Sequence, residues 1–213
     1  MRVSVRCIVV DDDSFTRTTV SAALQAQGID VVATADGIAQ AVAVNPATFD
    51  CAAIDLDLGA GPNGIDLAFA LRRANPEVGI VILTSFSDPR LLAASVKEPP
   101  PGAAYVVKQS LTDIAILAAA VRGTASGAST SSSMVKVDLT DAQVETLRLL
   151  AYGLSNAEIA RVRVVTEKSV EQAVKRVAVA LGIDSTREAN QRVALARAFF
   201  ELTGAARHAH AHR

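Results

Sequence analysis

The sequence predicts an α/β doubly wound five-stranded parallel sheet followed by an all-α domain. Three observations carry that prediction. Five short apolar runs alternate with helical patterns through residues 1–122, a Gly/Ser/Thr/Ala-rich stretch follows Arg122, and every later segment has helical periodicity with caps.

The apolar runs are Val5–Val10, Val31–Thr34, Cys51–Ile54, Ile80–Leu83 and Tyr105–Val107. They are continuous and lack polar alternation, as parallel strands buried on both faces require. Between them, Phe15–Gln27, Ile38–Val44, Ile65–Ala74, Pro89–Lys97 and Leu111–Arg122 are each long enough for a right-handed crossover helix. The stretch "GTASGASTSSSMVKV" then has linker composition, which divides the chain into residues 1–122, a linker at 123–137, a helical domain at 138–203 and a frayed tail at 204–213. In the helical domain Thr140 with Gln143, and Ser155 with Glu158, have capping-box spacing, and Gly153 stops the first helix. A third helix runs from Thr166 to Leu181, ended by Gly182, and a fourth from about Arg187 to Thr203.

Composition bounds the function. The chain of 213 residues is 50% hydrophobic but only 4% aromatic, with no Trp. Its longest apolar run, Ile114–Val121, is too short to span a bilayer, and Arg6 and Asp11 closely bracket the first one. A cytoplasmic protein without a membrane partner is expected. Cys7 and Cys51 have no metal or disulfide spacing and read as buried free thiols. Residues 1–122 hold nine Lys/Arg against thirteen Asp/Glu, whereas residues 138–213 hold eleven against nine. An acidic half joined to a mildly basic one suits a cation site followed by a polyanion-binding module.

The polar residues at strand ends sharpen this. Asp11 and Asp12 follow the first strand, Asp55 the third, Thr84 and Ser85 the fourth, and Lys108 the fifth, so all fall on the carboxyl edge of the sheet, where doubly wound folds bind ligands. Three carboxylates there repel unless a hard cation such as Mg²⁺ sits among them. A lysine and a hydroxyl at the same rim suit a phosphoryl group, and a central carboxylate can be its nucleophile.

The motifs "VVDDD", "AAIDLDL", "VILTS" and "YVVKQ", in that order and spacing over residues 5–122, resemble the receiver domain of two-component response regulators, a flavodoxin-like fold. The resemblance implies that Asp55 is the phospho-acceptor and that Asp11, Asp12 and Asp55, with the backbone carbonyl of Asp57, hold Mg²⁺. It makes Thr84 and Ser85 phosphate or switch hydroxyls, Tyr105 the switch aromatic and Lys108 the phosphate-pairing cation. Asp13 reads instead as a helix-start carboxylate. The chain departs from the pattern in the longer loop "LGAGPNG", where Gly59 replaces a proline, in Gln109 after Lys108, and in the prolines of "KEPPPGA".

The segment "LTDAQVETLRLLAYGLSNAEIARVRVVTEKSVEQAVKRVAVALGI" resembles the LuxR-type helix-turn-helix of NarL/FixJ regulators, with "GLSNAEIA" its most specific piece and Glu145 and Leu147 matching the first helix. At 100° per residue, Val170, Val174, Val177 and Leu181 form one apolar stripe of the third helix. Lys168, Gln172, Lys175 and Arg176 lie opposite, free to enter a major groove. Glu171 and Ala173 stand where the family has a lysine and a histidine. The implied function is a phosphorylation-controlled DNA-binding transcriptional regulator rather than an enzyme. Its partners are then a sensor histidine kinase, double-stranded DNA and a second copy of itself. Two competitors are a receiver whose helical domain binds protein instead of DNA, and a DNA binder gated by a ligand or partner independently of phosphorylation.

Overall fold

The computed structural model describes residues 4–59, 61–86, 88–92, 97–108, 113–128, 137–183 and 188–203. The chain divides into two compact units, Met1–Thr84 with Lys97–Met134, and Ser85–Val96 with Val135–Arg213.

The first unit is a parallel sheet of five strands in the order β2-β1-β3-β4-β5. The strands are β1 (Arg6–Val10), β2 (Asp30–Ala35), β3 (Cys51–Asp55), β4 (Gly79–Thr84) and β5 (Ala104–Val107). Its helices are α1 (Ser14–Ala26), α2 (Ile38–Ala43), α3 (Gly64–Ala74) and α4 (Ile114–Ala125). Every residue of β3 and β4 is buried, as their continuous apolar character requires. Side chains alternate across the sheet. Cys7, Val9, Cys51, Ala53, Val81 and Leu83 form one core with Val20 and Leu24 of α1 and with Leu117 and Val121 of α4. Helix α2 packs against β2 and α3, and α3 packs against β3 and β4. Both cysteines are free and buried.

Two expectations change here. Helix α4 does not stop at Arg122 but continues through Gly123 and Thr124 to Ala125, with Ser126 as C-cap, so the linker starts later than composition indicates. Thr124 is buried, with its hydroxyl 3.3 Å from Cys51 Sγ. Gly79 makes this possible, since a Cβ there would lie 2.6 Å from the Thr124 carbonyl carbon. The expected helix over Pro89–Lys97 is instead a 3₁₀ turn at Pro89–Leu91, within the described part of that segment. Residues 129–136 of the linker and the tail at 204–213 lie outside the described residues.

The second unit contains α5 (Asp141–Ala151), α6 (Asn156–Arg163), α7 (Glu167–Ala180) and α8 (Glu188–Leu202). Both capping boxes form, Thr140 with Gln143 and Ser155 with Glu158. Val144, Leu147, Leu150, Ile159, Val170, Val174, Val177, Leu195 and Phe199 build its core, and Leu91 belongs to the same cluster. Fully buried Asp88 holds Arg90 at 2.7 Å and accepts the Val137 N–H at 2.9 Å. Arg90 also donates to the carbonyls of Val137 and Leu139 and pairs with Asp141 at 2.8 Å. The segment after β4 is thus part of the helical unit's own fold. Between α6 and α7, Val164 is left-handed at φ 54, a costly conformation for a β-branched residue, and is 90% exposed.

Candidate functional site

The acidic site is built at the carboxyl edge of the first unit's sheet. Asp11 and Asp12 follow β1, Asp55 ends β3, Thr84 ends β4 and Lys108 follows β5. Asp11, Asp12 and Asp55 each offer a carboxylate oxygen, and these lie within 4.8 Å of one another. Asp11 is fully buried, Asp55 is 6% exposed and Asp12 faces solvent. Lys108 Nζ bridges the two buried carboxylates, 2.8 Å from Asp11 Oδ2 and 3.1 Å from Asp55 Oδ1.

The electrostatics follow from that burial. Asp55 is pushed up to about 7, chiefly by its own desolvation; Lys108 opposes the shift, and Asp11 and Asp12 add to it. Burial works against the Lys108 charge, but Asp55 and Asp11 outweigh it and raise the ammonium's pKa. The site is therefore short of positive charge for three carboxylates, and oxygen donors so close together fit a hard divalent cation.

Local sequence explains the placement. The Asp11 N–H is tied to the Ala35 carbonyl of β2, and Asp11 Oδ1 accepts the Asp13 N–H at 3.0 Å, which turns the loop. Asp13 is the N-cap of α1, accepting from the Thr16 N–H, as its position in the sequence indicates. Gly64 begins α3 directly against the site: a Cβ there would lie 2.0 Å from the Asp55 carbonyl oxygen. Asp57 is exposed and accepts the Gly59 N–H, and Gly59 itself lies beside Asp12. Thr84 and Tyr105 are buried in β4 and β5, whereas Ser85 is exposed and belongs to the other unit.

Arg17 was not legible as a site residue. Its Nη1 donates to the Asp11 carbonyl at 2.6 Å and to that of Asp12 at 3.4 Å, so α1 reaches back to hold the backbone that carries both carboxylates. Its spacing, six residues after Asp11, is the only sequence signal.

Residues 7–120 match the response regulator receiver domain. The chain belongs to the response regulator receiver family. No curated protein matches it. Among solved structures, this receiver chain is similar to RcsB in a structure of two RcsB dimers bound to two parallel DNAs, with 21% identity over 94% of this chain and 99% of that one, at a TM-score of 0.56. A second RcsB–DNA complex gives 22% identity, the same two coverages and a TM-score of 0.54. Those likenesses establish fold. A LuxR-family two-component response regulator from Aurantimonas sp. SI85-9A1 is 29% identical over 61% of this chain and 91% of that one, at a TM-score of 0.50.

The second unit's candidate surface lies on α7. Thr166 caps it, accepting from the Ser169 N–H. Val170, Ala173, Val174, Val177 and Ala178 are buried, while Lys168, Glu171, Gln172, Lys175 and Arg176 are exposed. The four expected contact residues therefore share the outer side, with Glu171 beside them. Ala173 is buried and lines a cavity with Gln143, Arg163, Ser169 and Arg176. Glu145 pairs with Arg163 at 3.2 Å, and Leu147 is fully buried.

Proposed function

We propose that this receiver chain is a phosphorylation-controlled, DNA-binding transcriptional regulator of a two-component system, taking phosphate on Asp55 from a sensor histidine kinase. The observation that carries the reading is the single cluster of Asp11, Asp12, Asp55 and Lys108 at the ends of β1, β3 and β5, with Thr84 ending β4. Asp55 is central and contacts Lys108, so its carboxylate is the nucleophile. One Asp55 oxygen forms the new P–O bond while the donor's P–N bond breaks, and the donor imidazole leaves with that electron pair. Lys108 neutralises a phosphoryl oxygen. Thr84 hydrogen-bonds another, and Tyr105 follows its movement. Asp11, Asp12, Asp55 and the Asp57 carbonyl are the residues that would hold Mg²⁺, whose charge offsets that of the transferring phosphoryl. Arg17 keeps the Asp11–Asp12 backbone in place.

The output is double-stranded DNA, read by Lys168, Gln172, Lys175 and Arg176 on α7, with the protein acting as a homodimer in the cytoplasm. The likeness to RcsB bound to DNA and to a LuxR-family response regulator supports this part. No described helix is long and apolar enough to cross a membrane. The exposed Glu171 beside Lys175 favours one competing output, a protein surface, which lacks the steep negative salt dependence of phosphate contacts.

The test is incubation of the full chain with Mg²⁺ and a small phosphodonor, followed by mass and oligomeric-state measurement. A gain of about 80 Da, one phosphoryl replacing a proton, is expected and is lost in Asp55→Asn. An undiminished gain in that variant moves the acceptor to Asp57 or elsewhere.

A further inference from the structure

Two buried polar atoms of the second unit lack a partner among the described residues, Arg148 Nε and Gln191 Nε2, and only the second lines a cavity beside α7. Gln191 of α8 is only 5% exposed, and its Nε2 is buried without a hydrogen-bond partner among the described residues. A glutamine amide carries two donors and an acceptor, and an unmade bond there costs about 1–3 kcal/mol. Such a group persists when something outside the fold satisfies it.

What that is can be read from the space it faces. Gln191 lines a niche of about 160 Å³ together with Asn156, Glu171, Val174, Lys175 and Arg192. The niche lies beside the exposed side of α7 that carries Lys175, and Asn156 is the first residue of α6. The first turn of that helix is closed by its own capping box, with Ser155 Oγ accepting the Glu158 N–H and the Glu158 carboxylate accepting the Ser155 N–H. Arg192 is committed elsewhere: its Nη1 donates to Asn156 Oδ1 at 2.7 Å and its Nη2 to the Leu154 carbonyl at 2.5 Å, holding the entry of α6 in place. That leaves the Lys175 ammonium and the Gln191 amide facing one cavity, opposed among its lining residues by the carboxylate of Glu171.

We propose that this niche is a seat for one backbone phosphate of DNA, in which the Gln191 amide is an uncharged donor to a phosphate oxygen alongside Lys175. The proposal rests on the DNA-binding reading above. A helix lying in a major groove has a phosphate chain on each flank, about 12 Å apart across the groove, so a donor niche beside the reading side of α7 is where a phosphate arrives. Glu171 weakens the seat without closing it, because one carboxylate faces two donors.

The consequences differ from those of an ordinary core residue. Gln191→Leu removes an unsatisfied amide, so the melting temperature of the full chain stays equal or rises. DNA affinity falls about tenfold, the worth of one hydrogen bond to a charged group. Because the lost donor is neutral, the salt slope is unchanged, whereas Lys175→Ala flattens it. Gln191→Glu keeps the shape, adds a like charge and weakens binding further, while Glu171→Gln tightens it.

The deciding experiment uses a duplex selected by the full chain from a randomised pool, with single phosphates replaced in turn by uncharged methylphosphonates. In the proposal, one replacement weakens the parent protein more than it weakens Gln191→Leu, since the variant has already lost one of that phosphate's two contacts. If every replacement weakens both proteins equally, the niche holds only water and the proposal fails alone. If the parent binds no duplex at any salt, the proposal fails together with the DNA reading.

Discussion

At the residue scale, Asp55 is tuned by being buried beside a cation. Its carboxyl is pushed from the ordinary 3.8 to about 7, by desolvation first. A raised folded-state value means that the native state holds this proton more tightly than the unfolded chain. The resulting stability is present below about pH 4 and is lost as pH rises through about 7. In metal-free buffer, denaturant unfolding of the parent protein should therefore weaken between pH 5 and pH 8 relative to Asp55→Asn, which cannot titrate there. A parallel pH response of the two proteins would place the proton on another group. Gly64 is a second residue-scale constraint. With a Cβ placed 2.0 Å from the Asp55 carbonyl, Gly64→Ala must displace either α3 or the end of β3. We expect that variant to lose phosphodonor reactivity and about 1–3 kcal/mol of stability, measured by mass gain and urea unfolding.

At the scale of elements, α7 carries the output prediction. Its buried side is apolar, and its exposed side holds Lys168, Gln172, Lys175 and Arg176 with Glu171 adjacent. Titrating the full chain against duplex DNA at several salt concentrations separates the roles. Lys175→Ala should weaken all sequences alike and flatten the salt slope by about one unit. Arg176→Ala should relax the preference at one base pair at a cost of about 1–3 kcal/mol, as for a bidentate contact to guanine. Glu171→Lys should tighten non-specific binding. Three variants indistinguishable from the parent protein would make this a solvated surface and put the protein-binding output first.

At the scale of the whole molecule, the division into units does not follow the linear order of the chain. The receiver match at residues 7–120 runs through Ser85–Val96, yet that segment belongs with Val135–Arg213. Leu91 is fully buried in the second unit's core, so Leu91→Ala should cost about 2–5 kcal/mol there. Burial opposes the Asp88 charge, but bonds from Arg90 and the Val137 N–H hold its carboxyl below the usual range. The stability it adds is present above the unfolded value and lost on acidification through the lowered one. Arg90→Ala would leave that carboxylate buried without its partner, and thermal unfolding should show the second unit melting earlier. A fragment beginning at residue 134 lacks Asp88, Arg90 and Leu91 and should be less stable than the same unit in the full chain. Equal melting of fragment and full chain would mean that the Asp88–Leu91 segment adds nothing to that core.

The amino-acid sequence by itself determined the alternation of strands and helices, the two capping boxes, the carboxyl-edge cluster and the outer side of α7. Each is a short-range pattern: strand burial appears as an unbroken apolar run, a cap as a three-residue spacing, and a helix side as a 100° step. What the tertiary structure decided needed knowledge of which residue lies opposite. Gly123–Ala125 has linker composition but is helical, because Gly79 of β4 leaves room for Thr124. Pro89–Lys97 has the apolar content of a crossover helix, but Leu91 was free to be buried in either core, and Arg90 fixed the outcome with partners as far along the chain as Asp141. Arg17 and Gln191 carry no pattern at all. One is recognisable only by the carbonyls it reaches and the other by the bond it does not make, and both depend on distances that no local spacing encodes.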